Sequence, residues 1–146
     1  MKKGKVMLIG PIGSGKSTLT ARLLEESSPV LKTQSLNYRD WIIDTPGEYS
    51  ENPMFYRSLI TTSLEARVLL VVQDATKHYQ VLPPNFSGGF PIVAVGVITK
   101  IDHPDADLMR AEQILRQVLP FQAIFRVSSV TLEGISELRA AILEYL

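Results

Sequence analysis

Cysteine is absent from the 146-residue sequence, and histidine occurs only twice, as His78 and His103. The first absence excludes disulfides, thiolate zinc sites and cysteine nucleophiles. The second leaves too few imidazoles for a histidine-rich metal centre. Net charge is missing as well, because 15 Lys and Arg offset 15 Asp and Glu. Nucleic acids and anionic membranes hold their proteins through a basic surplus that this chain lacks. No run approaches the roughly 20 apolar residues of a membrane span. Met1 to Gly10 carries three lysines and no continuous apolar core of the kind a signal peptide needs. The expectation is a protein of the reducing cytoplasm with neither nucleic acid nor membrane as partner. Disorder is excluded by 45% hydrophobic and 21% charged residues. A chain of this length makes one domain over residues 1–146, with no room for a separate substrate domain.

What is present alternates. Apolar, β-branched runs at Val6–Ile9, Trp41–Ile43, Val68–Val72, Ile92–Ile98 and Ala123–Val127 read as strands, several buried on both faces. Helical spacing links Leu108, Ala111, Leu115 and Val118, and again Leu132, Ile135, Leu138 and Ile142, with Thr131 as N-cap. Thr18 to Glu26 reads as a helix stopped by Ser27-Ser28-Pro29, and Met54 to Glu65 as another with Pro53 in its first turn. Strands alternating with helices predict an α/β fold: three layers, a mostly parallel sheet with helices on both faces. In such sheets ligands bind beyond the carboxyl ends of the strands. Two places break the alternation. Thr33 to Asp44 leaves room only for a cramped hairpin, and Asp74 to Phe90, with Pro83-Pro84 and Gly88-Gly89, is a poor crossover helix.

Gly10-Pro11-Ile12-Gly13-Ser14-Gly15-Lys16-Ser17 matches the phosphate-loop pattern G-x-x-x-x-G-K-[ST], between a strand and a helix. Glycines let backbone N–H groups turn inward around phosphates, and the new helix offers its positive end. Lys16 can reach the β- and γ-phosphates. The Ser17 hydroxyl can bind Mg²⁺, with Thr18 beside it in the nucleotide-binding set. Asp44-Thr45-Pro46-Gly47 closes the second strand. Asp44 can hold Mg²⁺ through water, and Gly47 can present its N–H to a γ-phosphate. Thr99-Lys100-Ile101-Asp102 follows the long fourth strand. The Asp102 carboxylate can accept two hydrogen bonds from guanine, while the Lys100 stem stacks along the purine. Ser128-Ser129-Val130 can complete a base pocket with backbone N–H groups.

These motifs, with Thr33, stand in the order and spacing of the Ras-like small GTPases. Within that class, Lys32-Thr33-Gln34 and Ile43-Asp44-Thr45-Pro46-Gly47-Glu48-Tyr49 resemble the EutP/PduV family over nearly the whole chain. The resemblance implies a reduced Ras-like P-loop domain binding Mg²⁺ with GTP or GDP, ATP being an alternative. It makes Thr33 the switch threonine over Mg²⁺ and the γ-phosphate. It also implies a role in bacterial ethanolamine or propanediol utilization, with shell or pathway proteins of a microcompartment as partners.

Three departures from Ras bear on activity. Thr99 stands where asparagine is usual, losing an amide that reads the base and braces the phosphate loop, so guanine preference rests mainly on Asp102. Glu48 replaces the water-orienting glutamine and could act as a general base only if its pKa were raised. Ile12 replaces a glycine and should crowd a partner's arginine finger. The expectation is GTP hydrolysis below about one turnover per second, with Lys16, Thr33, Gly47 and Glu48 as the catalytic set. The alternatives are an ATP-dependent acetate kinase, with Glu48 or Arg57 facing the acceptor, and an interaction module that nucleotide merely stabilises. Trp41, Tyr38 and Tyr49 read as sheet packing, His103 as a solvated loop residue, and Asp105 and Asp107 as helix-start charges. The apolar residues of Lys77–Phe90 read as a loop folded onto the sheet, with a partner-docking surface as the alternative.

Overall fold

The computed structural model describes residues 4–25 and 36–146. A parallel strand covered on both faces needs an apolar side chain at nearly every position. β1 (Val6–Ile9) and β4 (Val68–Asp74) meet that demand, with every residue buried. With β2 (Asn37–Arg39), β3 (Ile42–Asp44), β5 (Val93–Thr99) and β6 (Ile124–Arg126) they form one sheet, in the order β2-β3-β1-β4-β5-β6. All neighbours pair in parallel except β2 and β3. That antiparallel pair, turned at Asp40 with φ 55°, is the described part of the cramped hairpin.

Helices cover both faces. Leu19 and Leu23 of α1 (Lys16–Leu23) and Ile135, Leu138 and Ile142 of α5 (Ile135–Tyr145) pack on Val6, Leu8, Leu70, Val72 and Val97. The opposite face of the same strands, through Met7, Ile9, Leu69, Val71 and Ile98, takes Leu59 and the Ala111, Leu115 and Val118 stripe. Leu59 belongs to α3 (Tyr56–Ser63) and the stripe to α4 (Leu108–Val118). Period-two alternation in the strands thus meets period-3.6 stripes in the helices. Asp107 caps α4, accepting a hydrogen bond from the Arg110 N–H at 3.1 Å. No helix among the described residues is long and apolar enough to cross a membrane.

The Lys77–Phe90 stretch lies on the sheet as its apolar content predicts. Leu82 and Phe90 are buried beside Val81 and Phe86, each burial contributing on the order of 2 kcal/mol. Only a short 3-10 turn at Phe86–Gly89 replaces a crossover helix.

Gly47–Glu51 forms a short helix, α2, anchored by Tyr49 stacked on Phe55 at 4.5 Å between centroids. Two local expectations are corrected. The helix expected from Met54 to Glu65 is split into a 3-10 turn at Pro53–Phe55 and α3. Asn52 starts that turn by accepting the Met54 N–H at 3.0 Å, ahead of a proline that has no N–H of its own. Thr131 does not cap the last helix: Gly134 does, and Leu132 is more than half exposed at φ 70°. The cause is Ser128, whose hydroxyl accepts from both Val130 N–H and Thr131 N–H and folds that segment into a turn.

Candidate functional site

Register brings the carboxyl ends of the parallel strands to one edge. Leu8 lies opposite Asp44 and Asp74 opposite Thr99, so Ile9, Asp44, Asp74 and Thr99 end near one another. The loop Gly10–Gly15 leaves β1 at the centre of that edge and enters α1 at Lys16. At Gly13 the backbone has φ 79°, and a Cβ there would meet nothing within 4 Å, so the loop's outer rim is open.

Lys16, in contrast, is 6% exposed. Burial pushes its ammonium below the ordinary lysine value, and the Asp44 and Glu51 carboxylates oppose that push without cancelling it. A cation held this way is poised for an anion. Beside it the Ser17 hydroxyl donates to Asp44 Oδ2 at 2.8 Å. Two hard oxygens suit Mg²⁺, which takes few protein ligands and completes its shell with water and phosphate oxygens. No cluster of three or more His, Cys, Asp or Glu occurs among the described residues. The Ser17–Asp44 pair leaves the rest of such a shell to water and phosphate oxygens. Thr33, expected as a third ligand, lies outside the described residues.

On the other flank, Thr99 and Lys100 grip the loop from β5. Thr99 Oγ1 donates to the Ser14 carbonyl at 2.7 Å, and Lys100 Nζ donates to the Gly13 carbonyl at 2.9 Å. This corrects the expectation that threonine forfeits the loop brace: a hydroxyl supplies it. Thr99→Val keeps the shape and removes the donor, leaving a buried carbonyl short of a partner. It is expected to lower stability by about 1–2 kcal/mol, read by urea unfolding.

Lys100 is itself fixed by Asp74, which belongs to none of the sequence motifs. Asp74 is buried at the end of β4 and accepts from Lys100 Nζ at 2.8 Å, from Thr76 N–H at 2.8 Å and from Thr76 Oγ1 at 2.7 Å. Burial raises its carboxyl pKa, but the Lys100 and Thr76 hydrogen bonds outweigh that and hold it below the usual carboxylate value. Its signal in the sequence was its place, an acid closing an apolar strand at the edge where ligands bind.

Beyond Lys100, Asp102 accepts the Ser128 hydroxyl at 2.7 Å, joining the β5 and β6 loops. Of the three N–H groups expected to face a base, those of Ser128 and Val130 are engaged inside their own loop, with the Glu133 carbonyl and the Ser128 hydroxyl. Ser129 instead offers its carbonyl to Arg22 of α1 at 3.1 Å.

At the opposite end, α2 rests against the phosphate loop. Ser50 Oγ accepts the Gly10 N–H at 2.9 Å, and Glu51 Oε2 accepts the Ile12 N–H at 2.6 Å. A Cβ on Gly47 would come within 2.5 Å of the Ile12 backbone, so the contact requires glycine there. Glu48 is exposed in the first turn of α2, while Glu51, three residues on, reaches the loop. Ser50 and Glu51 could not be told from solvated turn residues before α2 was known to be a helix. His103, expected as a solvated loop residue, is exposed, as is Arg57, and His103 Nδ1 accepts the Asp105 N–H at 3.0 Å.

Residues 2–144 match the family PduV-EutP, described as ethanolamine utilisation - propanediol utilisation. The chain is 30% identical over 134 residues to the propanediol utilization protein PduV of Citrobacter freundii, covering 92% of this chain and 89% of that protein. It is 32% identical over 136 residues to a protein of Salmonella typhimurium named "Probable acetate kinase EutP", covering 92% and 86% respectively. The protein of the same name in Escherichia coli K12 is 31% identical over 136 residues, with the same coverage.

Proposed function

The chain belongs to the PduV-EutP family of ethanolamine and propanediol utilisation, and from that premise we propose that it binds a nucleoside triphosphate with Mg²⁺ and hydrolyses it slowly, as a switch or accessory factor in those pathways. One observation carries the reading. Along a single sheet edge lie, in order, the Ser17–Asp44 pair, the loop with Lys16 and the Asp102–Ser128 pair. That is the sequence of groups needed for metal, phosphates and base. Bound Mg²⁺ would offset negative charge on the β- and γ-phosphate oxygens. Lys16 and the loop N–H groups would hold the phosphates, and Gly47 would offer its N–H to the terminal one. Asp102, with one oxygen on Ser128, keeps the other for the paired donors of guanine.

The name carried by the relatives supports a second reading, transfer of the terminal phosphate to acetate. Titration with GTP, ATP, GDP and ADP plus Mg²⁺, then turnover with and without acetate, separates the two. Guanine preference, turnover below about one per second and no acetate stimulation are expected. Acetyl phosphate formed from ATP would establish the alternative, and no binding of any nucleotide would refute both. Asp102→Asn should weaken GTP at least tenfold and favour xanthosine triphosphate, since the substitution reverses donor and acceptor at one edge of the base. Unchanged base selectivity would remove Asp102 from that role.

A further inference from the structure

Glu51 stands in none of the motifs that point to nucleotide binding. Its carboxylate hydrogen-bonds the Ile12 N–H at 2.6 Å and is close enough to Lys16 to act on its ammonium. It does so from α2, which follows β3, and Asp44 acts on the same ammonium. On the reading above, Lys16 is the group that reaches the terminal phosphate. The contact is held in place, because Ser50 of the same helix is buried and fixed to Gly10 N–H, Gly47 is packed on the Ile12 backbone, and Tyr49 is stacked on Phe55.

We propose that Glu51 is a specificity-determining residue of the nucleotide site: a fixed negative charge that competes with the terminal phosphate for Lys16 and the Ile12 N–H, and so discriminates between triphosphate and diphosphate. The inference rests on the nucleotide reading and deepens it. A diphosphate ends short of the carboxylate and leaves α2 docked. A triphosphate brings like charge against Glu51, so its full binding requires the carboxylate to withdraw. Withdrawal breaks the Ile12 hydrogen bond. Like charges a few ångströms apart in a partly dry site repel appreciably, while exposure of Glu51 limits the effect.

The test is calorimetric titration of wild type, Glu51→Gln and Glu137→Gln with Mg²⁺ plus either GDP or a non-hydrolysable GTP analogue. Glutamine keeps the length and an acceptor oxygen while losing the charge. The expected result is that Glu51→Gln tightens the triphosphate analogue about tenfold and changes GDP less than threefold, and that Glu137→Gln, altering an exposed charge of α5 outside the site, changes neither. Equal effects on both nucleotides, or a weaker triphosphate, would overturn the proposal. Inorganic tripolyphosphate serves as a probe without a base. Tighter tripolyphosphate in Glu51→Gln supports the competition even if no guanine nucleotide binds, a result that would refute the nucleotide reading alone. Indifference of both proteins to tripolyphosphate and to nucleotides overturns the two together.

Discussion

Lys16→Met is expected to weaken Mg²⁺–GTP binding by at least about 100-fold while leaving the protein folded. Each charge-assisted hydrogen bond from an ammonium to a phosphate oxygen contributes roughly 1.5–3 kcal/mol, and two of them amount to two or more decades of affinity. The fold should not suffer. Lys16 is buried, and the lowered pKa means that folding penalises its charged form more than its neutral one, even with Asp44 and Glu51 nearby. The sign follows from linkage. Between the lowered folded value and the ordinary 10.5, the unfolded chain binds more protons at this site, so wild-type stability rises with pH across that window. Methionine removes the titration. Lys16→Met should therefore be more stable than wild type at neutral pH, with the advantage shrinking as pH approaches 10.5. Urea unfolding of both proteins at pH 7 and near pH 10 reads it, and a variant less stable at pH 7 would contradict the assignment of Lys16 as a cation stored for an anion.

Gly134→Ala should be the most damaging single methyl group in the domain. Gly134 has φ 78°, and a Cβ there would collide with the Arg126 carbonyl oxygen and lie 3.3 Å from Val127. The left-handed conformation costs about 1–2 kcal/mol for a residue with a side chain. The collision is with backbone, which cannot rotate aside, and brings the expected total to about 3–5 kcal/mol. In a chain of this size each kcal/mol lowers Tm by roughly 2–4 °C, so a fall of about 10 °C is expected in a thermal scan. Gly13→Ala is the control. Its φ is nearly the same, 79°, but its Cβ would meet nothing within 4 Å, so only the conformational cost of about 1–2 kcal/mol applies. The damage at Gly134 should reach the site too. The loop that Gly134 closes carries Ser128, whose hydroxyl holds Asp102 at 2.7 Å.

What could be read in the sequence follows from how local each signal is. β1 was legible residue for residue, because a strand buried on both faces writes an unbroken apolar run. The phosphate loop was legible because its chemistry depends on glycines and Lys16 at fixed spacing. β4 extends two residues past its expected end, to Asp74, because pairing with Ile98 and Thr99 of β5 carries the strand through the polar Gln73 and Asp74. The Thr99 brace was misjudged for the same reason: its acceptor, the Ser14 carbonyl, is 85 residues away. Asp44 and Ser17 came from motif; Glu51 did not, since only docking of α2 onto Ile12 separates it from Glu48. Polar contacts between loops are set by the assembled sheet edge, and a pattern along the chain does not record them.

The central claim is that one nucleotide lies across this edge, phosphates at the β1–α1 loop and base at the β5 and β6 loops. Titration of isotope-labelled protein with GTP and Mg²⁺, followed on backbone amide resonances, tests it directly. Amides of Gly10–Thr18 and those of Lys100–Asp102 and Ser128–Val130 should shift together and saturate at one equivalent. Movement of neither group, or of the phosphate loop without the base loops, would contradict the account.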